Sequence, residues 1–375
     1  MKKYSKIKLS DFVYMNPTEK LPKGTIARKI SMDQIEPYKK FVRSSNFEAY
    51  SGGTKFRNGD SIMARITPCL ENGKTAFITN LGENEIAFGS TEYIVLRAKE
   101  DVSLPDFVYY LTISSLVRDP AIKSMIGSSG RQRVQQSVLD ELEIPNFSLE
   151  QQQHIVDILG SIDDKIENNT KIIEEHEKLL ELYFEKLLSE KTDEWKEASL
   201  LDIADYTNGL AMQKFRPKGT AYLPVVKIKE LSQGYVDSNS EQADISIGDK
   251  FIIDDGDIVF AWSGTLMVKI WCGGKGGLNQ HLFKVTSDNF SKWFIYLWTK
   301  YHLTKFQNIA KGKAVTMGHI KRDDLAKSVA LIPTVDILKK YESIIAPLFE
   351  RIVSLYQENK TLSKLKTQYL QQFFG

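Results

Sequence analysis

The chain of 375 residues is long enough for two or three domains, and its 42% hydrophobic and 26% charged residues exclude a disordered or fibrous protein. Its two cysteines, Cys69 and Cys272, stand about two hundred residues apart, which excludes a disulfide scaffold and a Cys-rich zinc module and fits a reducing cytoplasm. No apolar run approaches the roughly 18–20 residues of a membrane helix, and the basic start at Met1 has no apolar core behind it, so no signal peptide is expected.

In chain order, β-branched and aromatic runs bounded by Gly, Asn or Pro predict short strands at Ser61–Ile66, Lys74–Thr79 and Glu92–Arg97. A helical stretch follows over Pro105–Ile126. Ser148 and Gln151 then form a Ser-x-x-Gln capping box after Pro145 and open a long helix. Its seam runs Ile162, Ile166, Asn169, Ile173, His176, Leu180, Tyr183 and Leu187, in the steps of four and three of a coiled coil. Further strands are predicted at Asp257–Trp262 and His281–Val285, and a helical stretch at Phe290–Ala310. A second long helix opens after Pro333, with the seam Ile345, Leu348, Ile352, Leu355, Asn359, Leu362, Leu365, Tyr369 and Phe373.

The chain repeats itself. An offset of 186 residues pairs Ile158 with Ile344, Ile162 with Leu348, Ile166 with Ile352 and Tyr183 with Tyr369. Upstream, Gly59-Asp60-Ser-Ile-Met-Ala64 resembles Gly256-Asp257-Ile-Val-Phe-Ala261. The plan is a globular body and then a long helix, twice: bodies over 1–145 and 195–333, helices over 146–190 and 334–375. Strands followed by helices with little alternation make each body α+β. The expected architecture is two such bodies joined and separated by two long helices, which pair as an antiparallel coiled coil with pseudo-twofold symmetry. An asparagine in each seam, Asn169 and Asn359, fixes register at some cost in stability.

Charge follows the same division. The first body has 21 basic and 17 acidic residues and the second 18 and 14, while the segment 146–194 that holds the first helix has only 5 against 13. Two mildly basic bodies suit a polyanion partner, and the acidic helix suits a strut away from phosphate.

Catalytic motifs are absent from the sequence. Gly273-Gly-Lys-Gly-Gly277 lacks the spacing of a phosphate loop and is expected to be a turn. No Asn/Asp-Pro-Pro-Tyr/Phe stretch exists to hold a flipped adenine. Asp60 with Glu71 and Lys74 is the nearest approach to a metal nuclease, without its usual Glu-x-Lys spacing. The histidines share no metal-ligand spacing.

The bodies do carry donors in loops. Gly127-Ser-Ser-Gly-Arg131-Gln132-Arg133 offers two guanidinium forks around an amide, side chains suited to guanine, adenine and phosphate. The second body has Lys313, Thr316, His319 and Lys321 in the equivalent stretch. Asn279-Gln280-His281 matches Ser90-Thr91-Glu92 before a strand. Arg65, Lys74, Trp262 and Lys275 complete the candidate DNA-binding set. Three readings are open on these residues: a sequence-reading DNA binder, a self-contained methyltransferase or nuclease with its own recognition domain, and a scaffold that touches no DNA.

The whole chain resembles the specificity subunit of type I restriction–modification enzymes. The resemblance is carried by Ile144-Pro145, Leu149-Glu-Gln-Gln-Gln-His-Ile-Val-Asp-Ile-Leu159 and Ile162-Asp-Asp-Lys-Ile166, similar to that family's central region. Gly59-Asp60 with Ala64–Lys74, and Gly256–Gly264 with Gly276–His281, resemble two types of target recognition domain. The second helix departs from the pattern, since Thr334-Val-Asp-Ile lacks the Glu-Gln pair. The resemblance implies a non-catalytic chain that reads a bipartite, asymmetric DNA site and directs adenine methylation, and cleavage, by other subunits. It implies two methyltransferase partners and, where present, two ATP-dependent restriction subunits. S-adenosylmethionine, ATP and Mg then belong to those partners, and none to this chain.

Overall fold

The computed structural model describes residues 5–128, 130–237, 239–312 and 318–375. Contacts divide the chain into two units, 1–167 with 362–375, and 168–361. In the first unit, β1 (Lys6–Lys8) and α1 (Leu9–Phe12) lead into β2 (Val13–Met15), β3 (Ile26–Ile30), β4 (Asn46–Ala49), β5 (Thr54–Phe56), β6 (Asp60–Ala64), β7 (Thr75–Phe77), β8 (Ala87–Gly89) and β9 (Tyr93–Ala98). Helices α2 (Pro105–Ile113), α3 (Ser115–Lys123) and α4 (Gln136–Asp140) follow, then β10 (Glu143–Pro145) and the long α5 (Leu149–Ser189). The sheet orders are β2-β9-β6-β7 and β4-β3-β8-β5, with β1 paired to β10. Among these strands of the described residues, only β3 and β8 pair in parallel.

The second unit repeats this. After β11 (Lys196–Ser199) and α6 (Leu200–Ile203) come β12 (Asp205–Asn208), β13 (Leu223–Val226), α7 (Ile228–Gln233), β14 (Gln242–Ala243), β15 (Ile252–Ile253), β16 (Asp257–Ala261), β17 (Met267–Trp271), β18 (Gly276–Leu278) and β19 (Leu282–Thr286). Then come α8 (Lys292–Tyr301), α9 (Leu303–Gly312), α10 (Arg322–Ala326), β20 (Val329–Ile332) and α11 (Val335–Phe374). Its orders, β12-β19-β16-β17, β14-β13-β18-β15 and β11-β20, match strand for strand, down to the single parallel pair β13–β18. The α+β duplication read from the sequence is the fold.

The Gly-Asp repeat has a structural reason. Gly59 and Gly256 both sit at φ +85°, where a side chain is strained, and each following aspartate caps its own turn. Asp60 receives the Arg57 amide at 2.8 Å and a two-pronged ion pair from Arg97 at 2.6 and 2.7 Å. Asp257 receives the Asp254 amide at 2.9 Å and Lys284 at 2.9 Å.

Two expectations need correction. Gly273–Gly277 is not all turn: Gly276 and Gly277 lie in β18, and a Cβ on Gly276 would stand 2.6 Å from Val226 Cγ2 of β13. Glycine there permits the close parallel pairing. The stretch from Pro105 is two helices rather than one, broken at Ser114, and the stretch from Phe290 likewise breaks at His302.

The long helices pair antiparallel in each unit. In the second, Asn169 donates to Asn359 at 3.0 Å and to Glu358 at 2.9 Å, while Lys340 and Tyr341 meet Glu190 at 2.9 Å. Between these points Ile173, Leu180, Phe184 and Leu187 share one core with Tyr341, Ile345, Phe349, Ile352 and Leu355; Tyr183 is half-buried. In the first unit the Ser148–Gln151 capping box forms at the start of α5. Ile162 and Ile166 are buried, and Leu362 and Tyr369 are half-buried. Leu365, expected in the seam, is on the exposed side, and Lys366 takes the inward place. Its ammonium meets Asp163 at 2.7 Å, and Asp163 also accepts the Tyr110 hydroxyl at 2.9 Å. Phe374 closes the core of this unit against Phe107 and Phe147, with ring centroids 5.7 and 5.8 Å away.

Candidate nucleic-acid interface

In the first unit, the chain leaving β6 at Arg65 is laced to two other segments through backbone hydrogen bonds. Arg65 donates its amide to Glu92 O at 2.9 Å and accepts the Val134 amide at 2.9 Å. Ile126 and Arg133 exchange both backbone bonds, and Thr67 donates to Gln132 O at 3.0 Å. Gly127 permits the loop between them at φ +138°, where a Cβ would stand 3.0 Å from Arg131 O. The loop is therefore anchored to the sheet end rather than a free arm.

Side chains at this sheet end form a charged rim. Glu92 accepts Arg133 Nε at 3.0 Å on both oxygens and Nη2 at 2.7 Å on Oε1. That fork holds the Glu92 carboxyl below its ordinary range. Arg65 donates Nη2 to Val134 O at 3.3 Å, and its Nε is buried without a partner. Arg131 and Thr91 are exposed, Gln132 and Ser90 half-buried, and the Ser90 hydroxyl accepts the Glu92 amide at 3.1 Å. Lys74 is turned away: its ammonium donates to Met32 O at 2.6 Å.

The second unit uses the same stations. Trp262 donates its amide to His281 O at 3.3 Å and accepts the Ile320 amide at 3.1 Å; Ser263 bridges His319. Arg65 thus corresponds to Trp262, Glu92 to His281, and Arg133 to His319. His281 Nδ1 lies 2.9 Å from Ser263 Oγ, and its Nε2 lies 3.3 Å from Gln280 Nε2. The Trp262 ring stands 6.0 Å from His281 and 6.2 Å from His319, and its Nε1 donates to Asn208 at 3.1 Å. Asn279 is buried and its side chain accepts the His281 amide at 3.3 Å, so it shapes the turn. Lys275 and Lys321 are exposed. Lys313 and Thr316 lie outside the described residues. One unit carries guanidinium forks where the other carries rings.

The residues considered for metal chemistry do not assemble. Asp60 is fully buried under Arg97, Glu71 accepts the Thr67 hydroxyl at 2.9 Å, and Lys74 is engaged as above. Among the described residues no group of three or more His, Cys, Asp or Glu side chains could hold a metal ion, and no helix is long and apolar enough to cross a membrane. Sequence reasoning noted Glu92 by position but did not count it in the site. An acid beside basic loops was the only signal, since its partner lies 41 residues away.

Two like bodies, one presenting charged and the other aromatic side chains at a sheet end with tied loops, define a duplicated recognition protein. Residues 1–178 and 192–363 match the family model described as type I restriction modification DNA specificity domain. The MjaIX specificity subunit of Methanocaldococcus jannaschii is 28% identical over 298 residues, 72% of this chain and 68% of that protein. The EcoAI specificity subunit of Escherichia coli is 32% identical over 152 residues, 38% of this chain and 26% of that one. The crystal structure of a type I restriction–modification S subunit from M. genitalium aligns over 100% of this chain and 96% of that one, with a TM-score of 0.56 at 16% identity, a likeness of fold. The chain belongs to the type I restriction modification DNA specificity family. It supplies DNA sequence choice, not catalysis.

Proposed function

We propose that this chain acts in the cytoplasm as the reader of an asymmetric, bipartite DNA site, with 1–145 and 195–333 as its two target recognition domains. The observation that carries the reading is the duplication itself: matching backbone stations filled by Arg65, Glu92 and Arg133 in one unit and by Trp262, His281 and His319 in the other. Equal scaffolds with unlike donors favour unlike half-sites. Arg131, Gln132 and Thr91, with Lys275, Gln280 and Lys321, are the further exposed or half-exposed groups offered to bases and phosphates. The partners are double-stranded DNA, two methyltransferase subunits that bring S-adenosylmethionine to adenine, and, where present, two restriction subunits that bring ATP and Mg.

Two outcomes are expected. The purified chain alone should neither methylate nor cut DNA, and should do so only through its partners; methyl transfer by the lone chain would sink the proposal. Replacing residues 195–333 with the corresponding domain of another family member should change one half-site of the methylation motif in cells and leave the other as it was. A change in both halves, or a palindromic motif in the parent, would show that the two bodies do not read separately.

A further inference from the structure

Arg133 and Glu92 form an ion pair at a surface where stability gains little from one. The side chains are 45% and 23% exposed, and ion pairs so open to solvent are screened and add little to stability. A carboxylate on a phosphate-facing rim also repels the ligand. Its geometry suggests another purpose. A guanidinium has five N–H donors in one plane. Glu92 takes the Nε donor and one of the two on Nη2, so it grips one side of the fork. The donors at the far end, one on Nη1 and the second on Nη2, remain; among the described residues their one contact is a long 3.4 Å approach of Nη1 to Arg131 O. Two parallel donors at that spacing match O6 and N7 of guanine. A fork held in place loses less conformational freedom on binding than a free one. In the second unit the counterpart of Glu92, His281, is itself fixed by its neighbours Ser263 and Gln280.

We infer that Glu92 is a positioning residue: it holds Arg133 so that the end of the guanidinium reads a guanine in the half-site of the first body. This rests on the proposal that the rim faces DNA. The test uses the full chain in complex with its methyltransferase subunits, once its methylation motif is mapped. Glu92→Gln and Arg133→Ala are compared on the cognate duplex, on duplexes changed at each specified position, and on unrelated DNA over a range of salt. Thermal melting of each complex is followed in parallel.

Glu92→Gln should lose discrimination at one G·C pair of one half-site, by a factor within the about 5- to 150-fold that one bidentate pair supplies. The other half-site should be unaffected, and binding to unrelated DNA should be equal or tighter, since a negative charge has gone. Arg133→Ala should lose the same position. If Arg133→Ala relaxes one position and Glu92→Gln leaves every position unchanged, the positioning role is wrong while the rim stands. A Glu92→Gln complex that melts earlier and weakens on all duplexes alike also overturns it. If neither variant alters affinity or selectivity, the rim does not face DNA, and the inference falls with that proposal.

Discussion

Asp163→Ala is expected to destabilise the first unit by about 3–5 kcal/mol, because it leaves the buried Lys366 ammonium without its counter-charge. Lys366 is only 7% exposed, and Asp163 is its ion-pair partner at 2.7 Å. Burial, with repulsion from Lys40 and Lys39, already pulls the lysine below its ordinary pKa despite the attraction of Asp163, so the charged form is held at a cost even with the pair intact. The loss should therefore be conditional. Adding Lys366→Met removes the stranded charge and should recover much of the stability, leaving chiefly the Tyr110 hydroxyl without its acceptor. Chemical denaturation of both single variants and the double variant measures the coupling. A double variant no more stable than Asp163→Ala would show that the loss does not come from an uncompensated charge. The second unit supplies the contrast: the 186-residue repeat carries Asp163 and Lys366 onto Phe349 and Leu180, both buried in its core.

Inserting four residues after Glu174 is expected to lengthen the non-specific gap of the methylation motif by one or two base pairs and to leave both half-sites unchanged. The prediction rests on the proposal that the paired helices set the spacing between the two reading bodies. Four residues add about 6 Å of helix axis, close to two base-pair steps of roughly 3.4 Å. They nearly restore helical phase, so most seam residues still face inward, with local unwinding at the insertion. The extra DNA twist must be absorbed by flexing of protein or duplex. A variant that folds, binds its methyltransferase subunits and keeps the original gap would mean that the helices set no spacing.

What the sequence disclosed, and what it hid, follows from the range of the interactions. The duplication was legible because the Gly-Asp turns at 59–60 and 256–257 and the helix seams are local patterns that any copy must keep. The Asn169–Asn359 match was legible because a polar residue in an apolar seam stands out. The strands β8 and β18 were not, since neither Ala87-Phe88-Gly89 nor Gly276-Gly277-Leu278 carries a β-branched residue and the parallel pairing of each joins distant segments. Lys366 was passed over in favour of Leu365 because periodicity alone ranks leucine as the inward residue. Only the placement of Asp163 and Tyr110 beneath the helix makes the lysine the better fit. In the rim, the loop donors were visible as residue types. Which of them lie together depended on the cross-links from Arg65 to Glu92 and Val134, which no spacing encodes.

The placement of Phe374 sets the order in which the molecule can be completed during synthesis. The floor of the first unit is made early, from Phe107 and Phe147, yet the residues that cover it, 362–375, are separated from the unit's N-terminal portion by the 194 residues of 168–361. At about 5–20 residues per second the ribosome needs roughly 10–40 s to reach them. The second unit, one unbroken segment, is available for folding within that interval, whereas the first must wait with aromatic surface uncovered. A chain halted before residue 362 would leave the aromatic floor of the first unit without its cover, however far the second unit had folded.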